Sequence, residues 1–138
     1  QKDTEMLLEN TDDSVKLTLD TGHMLFAQGE SIKFLKDFKE RVMHIHCKDI
    51  RKGVLEKSLK EDLSFRSAFL EGAFTVPGDG CIDYKPLFDE LKKNDYSGWL
   101  VVEAEQDPKK ANPFEYAKIG YKYLSETLSR ANIKVSQS

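Results

Sequence analysis

The chain contains three histidines, His23, His44 and His46, and each lies inside or just after a short apolar segment. Asp20 closes the segment Val15-Lys16-Leu17-Thr18-Leu19-Asp20, and His46 closes Val42-Met43-His44-Ile45-His46. Glu103 follows Trp99-Leu100-Val101-Val102. Two carboxylates and an imidazole make a hard N/O donor set, which suits Mn²⁺, Mg²⁺ or Co²⁺ better than a soft metal. Glu103 is the strongest of the three candidates, because an ionised carboxylate behind an apolar run is costly to bury without a cation. Asp20 alone suits a cap for the turn at Thr21-Gly22 equally well. A single strand histidine is more often a satisfied core imidazole. The recurrence of donors at three successive segment ends is what points to a metal site at Asp20, His46 and Glu103.

Several neighbours could assist. Lys48, Asp49 and Arg51 follow His46 and could reach substrate oxygens, although a charged run of this kind is usually just solvated. Glu105 shares the parity of Glu103 one step further out, at the rim of the site or behind its ligands. Gly78-Asp79-Gly80 allows close backbone approach to a ligand, but it lacks the G-x-G-x-x-G spacing of a dinucleotide site. Cys47 has the opposite parity to His46 and reads as a buried thiol.

The elements that must position these residues alternate along the chain. Glu5 to Asn10 reads as the last turns of a helix, and Thr11 to Ser14 as a polar turn. Val15 to Asp20 alternates with period two, so it reads as a strand with Leu17 and Leu19 on one face. Ser31 is the expected cap of a helix over 32–41, with Ile32, Leu35 and Phe38 on one stripe. The next strand puts Met43 and Ile45 opposite Val42, His44 and His46. Residues 54–71 read as mostly helical, closed by Gly72. Asp83 is the expected cap of a helix over 84–93 that buries Leu87, Phe88 and Leu91. Trp99 to Glu105 reads as a strand buried on both faces, and Pro113 to Arg130 as the last helix. Residues 131–138 are expected to form a frayed tail. Strands alternating with helices form parallel α/β sheets whose sites lie at the strand carboxyl ends.

The composition bounds the functional classes. The chain has 138 residues with 21 basic and 24 acidic side chains, which leaves room for one domain and gives no basic footprint for nucleic acid. No apolar run is long enough to cross a bilayer. The first ten residues lack the order of a signal peptide. Cys47 and Cys81 cannot build a disulfide framework. A reduced, cytoplasmic protein is therefore expected. Three parallel strands would leave open edges, so residues 1–138 are expected to be one segment of a larger domain that either joins a missing half or self-associates.

Four stretches carry a resemblance. They are Asp20-Thr21-Gly22-His23, the run from His44 to Arg51, Val76-Pro77-Gly78-Asp79-Gly80-Cys81-Ile82-Asp83, and the run from Gly98 to Pro108. Together they resemble the C-terminal part of the inosose (2-keto-myo-inositol) dehydratases, within the xylose isomerase-like barrels. The resemblance implies the last three or so βα units of a (β/α)₈ barrel. It also implies metal ligands at Asp20, His46 and Glu103, and a histidine beside the metal at His23. His23 is then the candidate catalytic group for proton transfer or substrate polarisation, and His44, Arg51 and Glu105 are candidate substrate contacts. The implied activity is Mn²⁺- or Co²⁺-dependent dehydration of a keto-inositol in inositol catabolism. The implied partner is a small polyol, with neither nucleic acid nor membrane. Two alternatives stand beside it, a sugar epimerase or isomerase of the same superfamily and a non-catalytic fragment.

Overall fold

The computed structural model describes residues 1–136, and in it the alternating segments become a parallel sheet flanked by helices. Helix α1 (Lys2–Glu9) precedes β1 (Leu17–Asp20), α2 (Thr21–Phe26) and α3 (Ser31–Phe38), which runs into a 3₁₀ turn (Lys39–Arg41). There follow β2 (Val42–Cys47), β3 (Asp49–Ile50), α4 (Lys52–Lys60), α5 (Phe65–Leu70) and β4 (Phe74–Thr75). The chain continues through α6 (Lys85–Lys93), β5 (Trp99–Val102) and α7 (Pro113–Arg130). Strands β1, β2 and β5 lie in that order, all parallel, and β3 pairs antiparallel with β4 in a separate ribbon.

Side-chain parity creates the main core. Leu19, Ile45 and Cys47 leave one face of the sheet and meet Phe34 and Leu35 of α3, Leu87, Phe88 and Leu91 of α6, and Leu124 and Leu128 of α7. The expected burial of Leu87, Phe88, Leu91 and Cys47 is therefore found. A smaller core of Ile50, Leu55, Ala68, Ala73 and Phe74 lies under the ribbon. Arg41 ties the first helix to the sheet, since its guanidinium donates to the carbonyls of Leu8, Thr11 and Val15.

The structure corrects several expectations. Strand β2 does not keep strict alternation: Leu17 pairs with Val42 but Thr18 pairs with His44, so the ladder skips Met43. This irregularity puts Val42 in the core with Ile45 and leaves Met43 exposed, against the predicted parity. Glu30, not Ser31, is the N-cap of α3. Residues 54–71 form two helices because Asp62 takes a φ of 49° and Ser64 caps α5 by accepting from the Ser67 N–H. The expected turn at Thr21-Gly22 is the first turn of α2. Tyr84 is the N-cap of α6, while Asp83 accepts from the Lys85 N–H beside it.

Strand β5 is shorter than predicted and is not buried on both faces. It pairs with β2 alone among the described residues; Trp99 is 66% exposed and Leu100 to Val102 are half-buried. An apolar groove beside it is lined by Tyr96, Trp99, Leu100, Tyr121, Leu128 and Val135. The tail also differs, since Ala131 is buried and Ile133 packs on the main core. Residues 137 and 138 of that predicted tail lie outside the described residues.

Candidate functional site

Register brings the three candidate ligands together. Asp20 pairs with His46, and His46 with Val101, so the row Asp20–His46–Val101 crosses the sheet. Glu103 lies two residues beyond Val101, on the same side by strand parity, and its N–H continues the ladder to the Cys47 carbonyl at 3.3 Å. One donor atom from each of Asp20, His46 and Glu103 lies within 4.8 Å of the others.

Asp20 fills both of the roles its sequence position allowed. Its Oδ1 accepts from the His23 N–H at 2.9 Å and caps α2. Its Oδ2 faces inward, 3.6 Å from His46 Nδ1 and 3.7 Å from His23 Nδ1.

The centre of the cluster is a residue from the charged run after His46. Lys48 is 1% exposed. Its Nζ lies 2.6 Å from Glu103 Oε2, 3.1 Å from Asp20 Oδ2, 3.3 Å from Glu105 Oε2 and 3.0 Å from His23 Nε2. Burial works against the charge, but Glu103 and Asp20 outweigh it and hold the ammonium above its usual pKa. The Lys48 stem crosses α2 at Gly22, where a Cβ would come within 2.7 Å of Lys48 Cγ. Its backbone is clamped as well. Thr21 Oγ1 accepts from the Lys48 N–H at 3.2 Å, and Tyr84 Oη donates to the Lys48 carbonyl at 2.8 Å. One signal was available: Lys48 shares the parity of His44 and His46.

His23 Nε2 has two competing partners. It is 2.9 Å from Glu105 Oε2 and 3.0 Å from Lys48 Nζ. Protonated, Nε2 donates to Glu105; unprotonated, it accepts from Lys48. Burial pushes the Glu105 pKa up, but the His23 hydrogen bond and the Lys48 charge prevail and hold it below the usual carboxylate value. The His23 ring meets Phe65 and Phe74 edge-on at centroid distances of 5.7 and 5.2 Å. Its side chain is 40% exposed.

The remaining candidates separate. His44 stands beside the cluster, its ring 5.3 Å from that of His46, but it pairs in register with Thr18 and Trp99, further from the strand ends. The guanidinium of Arg51 turns to the ribbon instead of the cluster. It donates to the Gly72 and Phe74 carbonyls, to Thr75 Oγ1 at 3.1 Å and to Asp79 Oδ2 at 2.7 Å. In this structure Arg51 braces β4 against the Val76 to Asp79 turn. Asp49 is wholly buried. Its Oδ1 accepts from the N–H groups of Ile50 and Ile82.

The residues present fit a divalent cation. Three carboxylates, Asp20, Glu103 and Glu105, face the single ammonium of Lys48, which leaves negative charge uncompensated. Glu103 Oε2 is buried and is met by the Lys48 ammonium at 2.6 Å. A divalent cation suits this hard donor set of carboxylates and imidazole.

A parallel sheet with donors gathered at its strand ends is the arrangement of α/β barrel enzymes. Residues 2–127 match the family described as xylose isomerase-like TIM barrel, and the chain belongs to that family. Within it, the chain is 51% identical over 123 residues to an inosose dehydratase of Clostridium beijerinckii, covering 88% of this chain and 41% of that protein. It is 46% identical over 129 residues to an inosose dehydratase of Lactiplantibacillus plantarum, covering 93% of this chain and 43% of that one. The chain thus spans less than half the length of these relatives. A crystal structure of a D-tagatose 3-epimerase-like protein superposes with a TM-score of 0.65 at 18% identity, over 95% of this chain and 41% of that one. That likeness shows the fold alone. Among the described residues, no helix is long and apolar enough to cross a membrane.

Proposed function

We propose that this chain is the C-terminal part of an inosose dehydratase, which removes water from 2-keto-myo-inositol to give a trihydroxycyclohexane-dione in inositol catabolism. The observation that carries the reading is the meeting of Asp20, His46 and Glu103 within 4.8 Å, on a chain 51% identical to a protein of that name. Those three residues would hold a divalent cation, with Mn²⁺ or Co²⁺ the best match to the donor set. When bound, such a cation supplies Lewis-acid polarisation of the substrate's ketone.

The chain's own residues would do the rest. Dehydration takes the proton α to the ketone and returns a proton to the departing β-hydroxyl, so a group able to carry a proton must reach the ring. His23 meets that need. It is partly open to solvent, beyond the strand end, and its Nε2 exchanges between Glu105 and Lys48. Glu105 orients that imidazole and offers its free oxygen to a substrate hydroxyl. Glu103 would be poorly placed as the base, since it would be one of the groups holding the cation. His44 lines the wall below the ligands, and Arg51 holds the Val76 to Asp79 turn in place.

The test uses the whole barrel that carries this segment. Keto-inositol should be consumed with growth of diketone absorbance, and a chelator should stop the reaction until Mn²⁺ or Co²⁺ is restored. Interconversion of ketose epimers with keto-inositol untouched would replace the dehydratase reading by an epimerase. Activity indifferent to chelation would remove the cation from the account.

A further inference from the structure

Lys48 is the one feature of the cluster that neither the sequence reading nor the three candidate ligands account for. A lysine with 1% exposure loses nearly all its hydration, and such burial is tolerated only where opposite charges and hydrogen bonds surround the amine. The molecule provides them from three directions. Asp20 comes from the end of β1, Glu103 and Glu105 from the segment after β5, and the His23 ring from α2. The path to this seat is specific too, because Gly22 makes room for the stem and Thr21 and Tyr84 hold the Lys48 backbone. Two of the amine's partners, Asp20 and Glu103, also belong to the candidate ligand set.

We propose that Lys48 is a positioning residue that serves as the internal counter-ion of the cluster. Its ammonium gathers Asp20, Glu103 and Glu105 when no divalent ion is present, and it opposes that ion for the two shared carboxylates once the ion binds. The proposal rests on the cation reading above and deepens it. Two consequences follow from fixed charge alone. An ammonium beside a divalent cation repels it, so the lysine weakens cation affinity. An ammonium among three carboxylates relieves their mutual repulsion, so the lysine stabilises the cation-free fold more than the loaded one. The same contacts hold Glu105 and the His23 ring in register, a duty that persists when the ion has taken Asp20 and Glu103.

The experiment compares the full chain with Lys48→Met, which keeps an unbranched side chain one atom shorter and removes its charge. Mn²⁺ affinity is measured by competition against a calibrated chelator, starting from metal-loaded protein so that a variant weakened without the ion is still read. Melting is recorded with and without Mn²⁺. The expected result is binding at least tenfold tighter in Lys48→Met, with a larger rise of Tm on adding Mn²⁺ than in the parent. The double variant Lys48→Met/Glu105→Gln removes one charge of each sign, and its cation-free Tm should recover part of the loss. A lysine that merely filled space would lower both melting points alike and leave the affinity unchanged. That result, or weaker binding in Lys48→Met, overturns the proposal while leaving the cation site standing. If neither protein binds Mn²⁺, the proposal and the cation reading both fall.

Discussion

Lys48 and Asp49 are adjacent, oppositely charged and almost equally buried, yet the molecule treats them in opposite ways. Lys48 points to the ends of the parallel strands, where three carboxylates and an imidazole surround it. Asp49 points the other way, into the turn between β4 and α6. There its Oδ1 is held by the backbone N–H groups of Ile50 and Ile82, and its Oδ2 has no hydrogen-bond partner among the described residues. Burial pushes the Asp49 pKa up, with those N–H groups holding it partly back. The contrast separates two uses of a buried charge. Lys48 is matched by ionised groups that substrate or cation can reach. Asp49 is matched by main chain and pins the ribbon to the turn. Changes at the first region should move binding and turnover, with stability following the cation, and changes at the second should move stability alone.

The largest expected effect is on turnover. In the whole barrel, His23→Ala should lower the rate by roughly a hundred- to ten-thousand-fold, the usual contribution of a general acid or base. Its melting temperature should change little, because the ring is partly exposed and meets the smaller core only edge-on at Phe74. A fall in Tm matching the loss of activity would erase the distinction between the two regions.

The next effect belongs to the Asp49 side. A Cβ on Gly80 would overlap the Asp49 carboxyl, so Gly80→Ala should destabilise the chain by about 1–3 kcal/mol through overpacking. Denaturant unfolding measures this, and Mn²⁺ affinity of the folded protein should stay at the parent value. Reduced affinity would mean that the two regions are coupled.

The smallest effect is a pH trend. The folded Asp49 carboxyl titrates above its ordinary value of 3.8. Its contribution to stability is therefore complete below that value and is lost as pH rises through the folded one. Asp49→Asn removes this loss. The stability of the variant relative to the parent should therefore rise as pH increases from about 3.5 toward neutrality. A relative stability that falls over the same range would contradict the assignment of Asp49 as a carboxyl penalised by burial.

Much of the site was legible because strand parity is a strict rule and polar residues at apolar strand ends stand out. The meeting of Asp20, His46 and Glu103 was foreshadowed by donors recurring at three successive strand ends, and the burial of Cys47 by parity. Lys48 obeyed the same parity but sat in a run of charges, and local composition gave no sign that three carboxylates from distant segments would surround it. The bracing contacts of Arg51 were hidden for the converse reason. Its acceptors lie on Gly72, Phe74, Thr75 and Asp79, which sequence spacing does not bring near. The strand irregularity at Met43 appears only in the pairing with β1. The apolar run of β5 predicted a fully covered strand, while the chain itself covers it on one edge.

The most direct test of the central claim is the Mn²⁺ affinity of Glu103→Ala set against Glu105→Gln. Glu103 supplies a candidate ligand atom, whereas Glu105 pairs with His23 and Lys48. Glu103→Ala should lose most of the affinity, and Glu105→Gln should keep most of it. Glu103→Ala binding Mn²⁺ as tightly as the parent would contradict the site.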